Sequence, residues 1–216
     1  MDELTLLQKI AVWSLPILFA ITAHEAAHAW VASKLGDDTA LRLGRVTLNP
    51  IKHIDLIGTI IIPLAMLVVS GFIFGWAKPV PVQFYKLRKL RRDTALVALA
   101  GPGANLVMAI LWAIIGKIGL FLYVDYEPAL FLIFMGSAGI LINAILMILN
   151  LLPILPLDGG RVLHSVLPNN LALSFEKLEP YGLIILVVLL ISGALEIIML
   201  PLINVFYQSL LWLAGL

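Results

Sequence analysis

Long runs almost free of charged side chains alternate along this chain with short segments that carry most of the charges. The apolar runs cover residues 10–33, 56–77, 94–116, 128–157, 180–195 and 197–216. A helix needs about 20 apolar residues to cross the hydrocarbon core of a bilayer. The pattern therefore predicts an all-α polytopic membrane protein with five or six possible crossings.

The composition supports lipid as the solvent of this chain. Hydrophobic residues make up 62% of the 216 residues and charged residues 12%, whereas soluble domains have about a quarter charged residues. One core of this size cannot hide so much apolar surface from water. The chain has no cysteine, which excludes disulfides and thiolate metal sites, so a transition metal would be held by His, Asp or Glu.

Basic residues predict which connections face the cytoplasm. Twelve of the 14 Lys and Arg residues lie in the segments 34–55, 78–93 and 158–178. The positive-inside rule places all three segments in the cytoplasm. The short 117–127 connection, which carries Asp125 and Glu127, then lies outside. The basic run 86–92 fits contact with anionic lipid headgroups better than contact with a nucleic acid.

This topology leaves two interpretations of residues 56–77. If both flanking segments are cytoplasmic, the run enters and leaves on one side, and its Pro63 and three glycines allow such a broken path where protein buries it. The alternative is an ordinary transmembrane helix with one basic loop outside. Within the 34–93 insert, Leu41, Leu43, Val46 and Leu48 alternate with polar or small residues, which predicts a short hairpin of strands in 36–50.

A histidine pair one helical turn apart marks the first apolar run. His24 and His28, in the pattern His-Glu-x-x-His, lie on one face of a helix. Both imidazoles can reach one Zn²⁺ at about 2.0–2.1 Å, and Glu25 can move a proton from zinc-bound water to a leaving amine. Ionisable groups at membrane depth mark functional sites, although a polar cluster that only joins helices would contain the same residues.

A catalytic zinc commonly has three protein ligands, and Asp158 is the best candidate for the third. Pro153 and Pro156 end the preceding helix and keep the chain extended. Gly159 and Gly160 then permit a sharp backbone path after the acid. From the residues alone, a helix cap or a turn explains Asp158 equally well.

Together these motifs resemble the site-2 protease family of intramembrane zinc metalloproteases, in its compact prokaryotic branch without a PDZ or CBS domain. The similar segments follow the family's order over about two thirds of the chain: His24-Glu25-x-x-His28, 49–55, 75–81, Gly101-Pro-x-x-Asn105 and Asn150-x-x-Pro-x-x-Pro-x-Asp158-Gly. One departure is Leu56, where that branch typically has proline. This departure affects the local turn and not the metal residues.

The resemblance implies roles for individual residues. It makes His24, His28 and Asp158 the ligands of one Zn²⁺, and Glu25 the catalytic residue. Asn105 and Asn150 would bind substrate or, for Asn105, the oxyanion of the tetrahedral intermediate. A further amide, Asn143, is interpreted as a polar contact between helices.

The expected activity is hydrolysis of peptide bonds in or near transmembrane segments of substrate proteins, within a single domain over 1–216. Its core helices would be 10–33, 94–118 and 128–152, its insert 34–93 and its C-terminal helices 180–216. The expected partners are a membrane-embedded protein substrate and the lipid bilayer, with no nucleic acid. The expected location is a prokaryotic inner membrane, which the chain crosses several times, with the active site reached from the cytoplasm.

An alternative is a metal-ion transporter or channel that uses the same His and Asp residues as a transit site. Transporters often contain repeated halves, and the sequence has no evident internal repeat. A transit site also has no need of Glu25 as a proton carrier. The sequence therefore favours the protease.

Overall fold

The structure, a computed structural model, describes residues 4–55, 61 and 78–215, and these residues are mostly helical. Among these described residues, four helices are long and apolar enough to cross a membrane: α1 (Leu6–Leu35), α3 (Leu90–Tyr123), α4 (Leu130–Asn150) and α8 (Ala194–Ala214). The shorter helices are α2 (Thr39–Arg42), α5 (Asp158–Val166), α6 (Asn169–Glu176) and α7 (Gly182–Ile191). Single 3₁₀ turns occur at Pro50–His53, Phe84–Lys86, Glu127–Ala129 and Glu179–Tyr181.

Helix α1 begins and ends with well-formed caps. Thr5 and Gln8 form a reciprocal capping box at its start, and Gly36 ends it in the left-handed conformation at φ 119°, which glycine adopts without steric cost. Its buried face repeats every four residues, as expected of a helix packed along one side. The four-residue series is Val12, Pro16, Ala20, His24, His28 and Ala32, and Thr22, Ala26 and Ala29 are buried beside it.

Helices α3 and α4 pack closely because glycines line their contact. A Cβ added at Gly136 would lie 2.6 Å from the Cα atom of Gly116, and one at Gly139 would overlap the ring of Trp112. Small residues allow such close approach between helices in membranes. The pair α3 and α4 therefore forms a tight unit against which α1 packs.

The predicted strand hairpin in 36–50 is wrong. Residues Thr39–Arg42 form the single turn of α2, and the described part of the chain contains no strand. The alternating leucines do not share a buried face, since Leu41, Leu43 and Leu48 are all exposed. Ala40 is fully buried instead and packs with Ala29 of α1 and Val80.

The C-terminal run also differs from the prediction of a crossing over 180–195. Helix α7 has only 10 residues, or about 15 Å at 1.5 Å per residue, which is too short for a hydrocarbon core of about 30 Å. It ends where Gly193 adopts the left-handed conformation at φ 74°, and α8 follows at once. Both interpretations of 56–77 fall, apart from residue 61, outside the residues that the structure describes.

Candidate metal centre

His24 and His28 meet on the buried face of α1, where α3 covers them. Their Nε2 atoms are 3.0 Å apart, and their rings stand nearly perpendicular, at 83°. Each residue is only 8% exposed. The spacing of one helical turn, which the sequence predicts to bring both rings together, does so here.

The Asp158 carboxylate completes a triangle with the two imidazoles. Its Oδ2 atom lies 3.2 Å from Nε2 of His24 and 3.3 Å from Nε2 of His28. Ligands at 2.0–2.1 Å from a tetrahedral zinc are about 3.3–3.4 Å apart. The three distances of 3.0, 3.2 and 3.3 Å are close to this spacing, so the three atoms could hold one zinc ion together.

Asp158 reaches the histidines because the chain before α5 folds back closely onto the start of that helix. A Cβ at Gly159 would overlap the carbonyl of Leu151, and one at Gly160 would lie 2.5 Å from the carbonyl carbon of Ile154. Only glycine leaves room for this contact. The glycine pair thus allows the preceding loop to pack against α5 and hold the carboxylate in place.

A chain of amide hydrogen bonds determines the tautomer of His24. The carbonyl of Gly139 can only accept, so Asn143 donates to it from Nδ2 at 2.8 Å and presents Oδ1 to Asn105. Asn105 donates from Nδ2 to that oxygen at 2.9 Å and to the carbonyl of Ala20 at 3.2 Å. Its Oδ1 therefore accepts from Nδ1 of His24 at 2.6 Å. The Nδ1 atom carries the proton, and Nε2 is free to bind a metal.

The same logic applies to His28. Its Nδ1 atom lies 2.7 Å from the carbonyl oxygen of Val97, which can only accept, so Nε2 again presents its lone pair. The Oδ2 atom of Asp158 is buried and has no hydrogen-bond partner among the described residues, because neither Nε2 atom carries a proton to donate to it. Two imidazole lone pairs and one carboxylate oxygen converge on one point, and such a set requires a cation among them.

Zinc suits this donor set. Buried imidazoles with Nδ1 bonded to an oxygen and one carboxylate are the ligands and supporting contacts found at catalytic zinc sites. The convergent atoms on His24, His28 and Asp158 are within 4.8 Å of one another. The residues present therefore fit a zinc ion.

Gly101 of α3 lies directly against the imidazoles of His24 and His28. A Cβ at position 101 would lie 2.6 Å from Nε2 of His24 and closer still to Nε2 of His28. The glycine of this Gly-Pro-x-x-Asn segment thus leaves the space in which the imidazoles stand. Gly103, two residues further along α3, is a suitable control position, because a Cβ there would meet no atom within 4 Å.

We expect Gly101→Ala to displace the imidazoles and to weaken zinc binding by about 10- to 100-fold, the effect typical of disturbing groups that orient metal ligands. Competition with a chromophoric chelator measures this affinity on the purified protein. Gly103→Ala is the control and should keep wild-type affinity. Equal affinities for the two variants would contradict the role given to Gly101.

Glu25 lies beside the metal residues on α1 and is oriented by a different part of the chain. Its Oε2 atom accepts a hydrogen bond of 2.8 Å from the backbone N–H of Val80. The side chain is half-buried, and it is not among the three convergent ligands. The role of Glu25 in proton transfer stays a prediction.

The two asparagines expected to bind substrate occupy different surroundings. Asn105 is fully buried, and its amide group is used within the protein, on His24, Ala20 and Asn143. These contacts orient His24, and the role of Asn105 toward the oxyanion stays a prediction. Asn150, at the end of α4, donates to the carbonyl of Leu146 at 2.9 Å and is half-buried, and its role in substrate binding stays a prediction.

Two of the three supporting groups are not evident from the sequence. The carbonyl of Val97 and the N–H of Val80 are backbone atoms, which no motif of side chains can reveal. Asn143 has a signal, because an amide in the middle of an apolar helix must find a polar partner. Its hydrogen bond with Asn105 joins α3 and α4, as the sequence predicts. Asn105 in turn bonds to His24, so Asn143 also supports the metal residues.

Comparisons with known proteins agree with this site. The family model described as peptidase family M50 matches residues 126–193. The chain is 38% identical over 199 residues to "Putative zinc metalloprotease YwhC" of Bacillus subtilis, covering 90% of this chain and 87% of that protein. It is 31% identical over 200 residues to "Putative zinc metalloprotease Rip2" of Mycolicibacterium smegmatis, covering 90% and 73%.

A protein of the same name from Mycobacterium tuberculosis is 30% identical over 189 residues, covering 87% of this chain and 68% of that protein. No solved structure matches the chain. These relatives give no support to the alternative of a metal transporter or channel.

Proposed function

Because the chain belongs to peptidase family M50, the site-2 protease family of zinc metalloproteases, we propose that it cuts other proteins in or near their transmembrane segments. The observation that carries this proposal is that the side chains of His24, His28 and Asp158 converge. The two histidines belong to α1, a helix apolar enough to span a membrane. One zinc ion per chain would occupy that site, within a single domain that extends over 1–216.

The depth of the site supports action inside the bilayer. Helix α1 ends at Leu35, so His24 lies about 16 Å from that end along the axis, at 1.5 Å per residue. This distance is about half the thickness of the hydrocarbon core. A substrate that reaches the site must therefore bring its peptide bond to membrane depth. It must also unwind there, because the amides of a helix are bonded to one another.

In the proposed reaction each residue has one task. His24, His28 and Asp158 hold the zinc ion, which when bound would polarise the scissile carbonyl and lower the pKa of a nearby water. Glu25 takes a proton from the water as the water oxygen attacks the carbonyl carbon. Glu25 then gives this proton to the amine nitrogen as the carbon–nitrogen bond breaks. The bond from Val80 keeps one carboxylate oxygen fixed, and the other oxygen carries the proton.

The function is tested by incubating the purified, zinc-loaded protein with a single-span test substrate in detergent. We expect two products, and mass spectrometry should place the cut in or near the apolar span. Products cut only in the water-soluble tails, or no product from zinc-loaded protein, would refute the proposal. A soluble unfolded protein of similar length is the control and should be cut much more slowly.

The site is proposed to open to the cytoplasm, in agreement with the positive charge of the flanking segments. The absence of cysteine in the chain allows a test with single-cysteine variants at the exposed residues Tyr85, Val124 and Leu173. In intact cells a membrane-impermeant thiol reagent should label only Val124→Cys. The other two variants should be labelled after the cells are broken. Labelling of Tyr85→Cys from outside would contradict this topology.

A further inference from the structure

An extended segment, residues 78–83, lies against α1 and contacts Glu25. Pro79 and Pro81 flank Val80 in it, and the ring of Pro81 favours an extended backbone at Val80. Neither proline has an N–H group, so between them Val80 supplies the one backbone donor. That donor is bonded to Glu25, while the Val80 side chain is buried in the cluster that also contains Ala29.

Arg45 binds the same segment from the other side. Its Nη2 atom donates to the carbonyl oxygen of Lys78 at 2.7 Å and reaches that of Pro79 at 3.5 Å. The residue is only 8% exposed, and burying an arginine costs free energy unless its donors are used. Both contacts come from the single atom Nη2, while the Nε atom is buried without a hydrogen-bond partner among the described residues.

One peptide group connects Arg45 to Glu25. The carbonyl of Pro79 and the N–H of Val80 belong to the same planar trans peptide, in which the two point in opposite directions. Arg45 lies on the carbonyl side and Glu25 on the N–H side. A guanidinium that fixes the rotation of this plane therefore also fixes the direction of the N–H toward the carboxylate.

The ends of the segment are held as well. The N–H of Lys78 donates to the carbonyl of His53 at 2.9 Å, and the N–H of Gln83 donates to Oδ2 of Asp37 at 2.6 Å. Asp37 is fully buried and also accepts from the N–H of Thr39. The segment is thus held at both ends, and Arg45 acts between them.

We propose that Arg45 is a positioning residue for Glu25, acting through the peptide between Pro79 and Val80. This inference rests on the proposed function, because it gives the Val80 N–H the task of holding one oxygen of the general base. The side chain of a glutamate has several rotamers of similar energy. A hydrogen bond to the ionised group selects the rotamer that faces the reacting water.

The decisive variant is Val80→Pro, which removes the N–H group and is compatible with an extended backbone. We expect kcat to fall about 10- to 100-fold, the range for loss of a hydrogen bond to a charged group. KM and zinc content should stay within about twofold of wild type. One control keeps the bond: Val82→Pro adds a proline to the same segment and should keep kcat within about threefold.

Arg45 is tested by a pair of variants. Arg45→Met should lower kcat as Val80→Pro does, and Arg45→Lys should recover part of the loss, because an ammonium group can still donate to a carbonyl. If Arg45→Met does not fold, Arg45→Lys and Val80→Pro still test whether Arg45 positions Glu25. In those two variants the loss should again appear in kcat and not in KM.

A double-mutant cycle gives a readout that does not depend on activity. Val80→Pro should lower Tm by about 3 °C more in the wild-type background than in Glu25→Ala, where the acceptor is already missing. Equal shifts would overturn the proposal. It would also be overturned by wild-type or higher kcat in Val80→Pro, by loss of zinc there, or by an equal loss of kcat in Val82→Pro. Absence of cleavage by the zinc-loaded wild type would instead refute the proposed function.

Discussion

Replacement of Glu25 by glutamine should abolish cleavage while the zinc ion stays bound. Glutamine has the size of glutamate, and its Oε1 atom can still accept the hydrogen bond from Val80. It cannot take a proton from water at neutral pH. Loss of a general base typically costs about 10²- to 10⁴-fold in rate. Turnover of the single-span substrate, with zinc measured on the same sample, checks this prediction.

Glu127→Gln is the matched control for this variant. Glu127 is exposed in the connection between α3 and α4, and it loses the same charge away from the site. It should cleave at the wild-type rate. If Glu25→Gln cleaves at nearly that rate with zinc bound, Glu25 is not the general base and the mechanism is wrong.

Removal of the Asp158 side chain should empty the zinc site. Asp158→Ala leaves two imidazoles, which are fewer ligands than a stable zinc site contains. Affinity should fall by more than about 100-fold, beyond the 10- to 100-fold typical of changes outside the ligand set. His24→Ala and His28→Ala should have effects of the same size. Competition with a chromophoric chelator measures all three.

Asp125→Ala is the control for the loss of an acid, since Asp125 is exposed in the connection after α3. It should bind zinc as the wild type does. Asp158→Asn adds a second comparison, because it keeps the volume of the side chain and removes its charge. Full zinc retention in Asp158→Ala would remove Asp158 from the site and leave the metal with other ligands.

The helices could be predicted from the sequence wherever one apolar run meets no interruption, as in α1, α3 and α4. The prediction failed where a single residue changes the backbone path. Gly193 ends α7, so the apolar run 180–195 is divided before it is long enough to span. In 36–50 the alternation of large residues suggested strands, but the buried residue is the small Ala40, and the leucines are exposed.

At the site, too, contacts within one helix could be predicted from the sequence, whereas contacts between distant segments could not. His24 and His28 could be predicted because their meeting depends only on the geometry of one helix. Asp158 is 130 positions after His28, so its approach depends on how α5 packs and on the glycines that follow it. The carbonyl of Val97 and the N–H of Val80 could not be predicted, because a backbone atom has no signature in the sequence.

The most direct test of the account is cleavage measured as a function of bound zinc. Protein stripped of metal by a chelator is titrated with zinc, and turnover of the single-span substrate is measured at each step together with zinc content. We expect no cleavage without zinc and a rise in proportion to occupancy, complete at one zinc per chain. Cleavage by the metal-free protein at the wild-type rate, or no cleavage at full zinc occupancy, would contradict it.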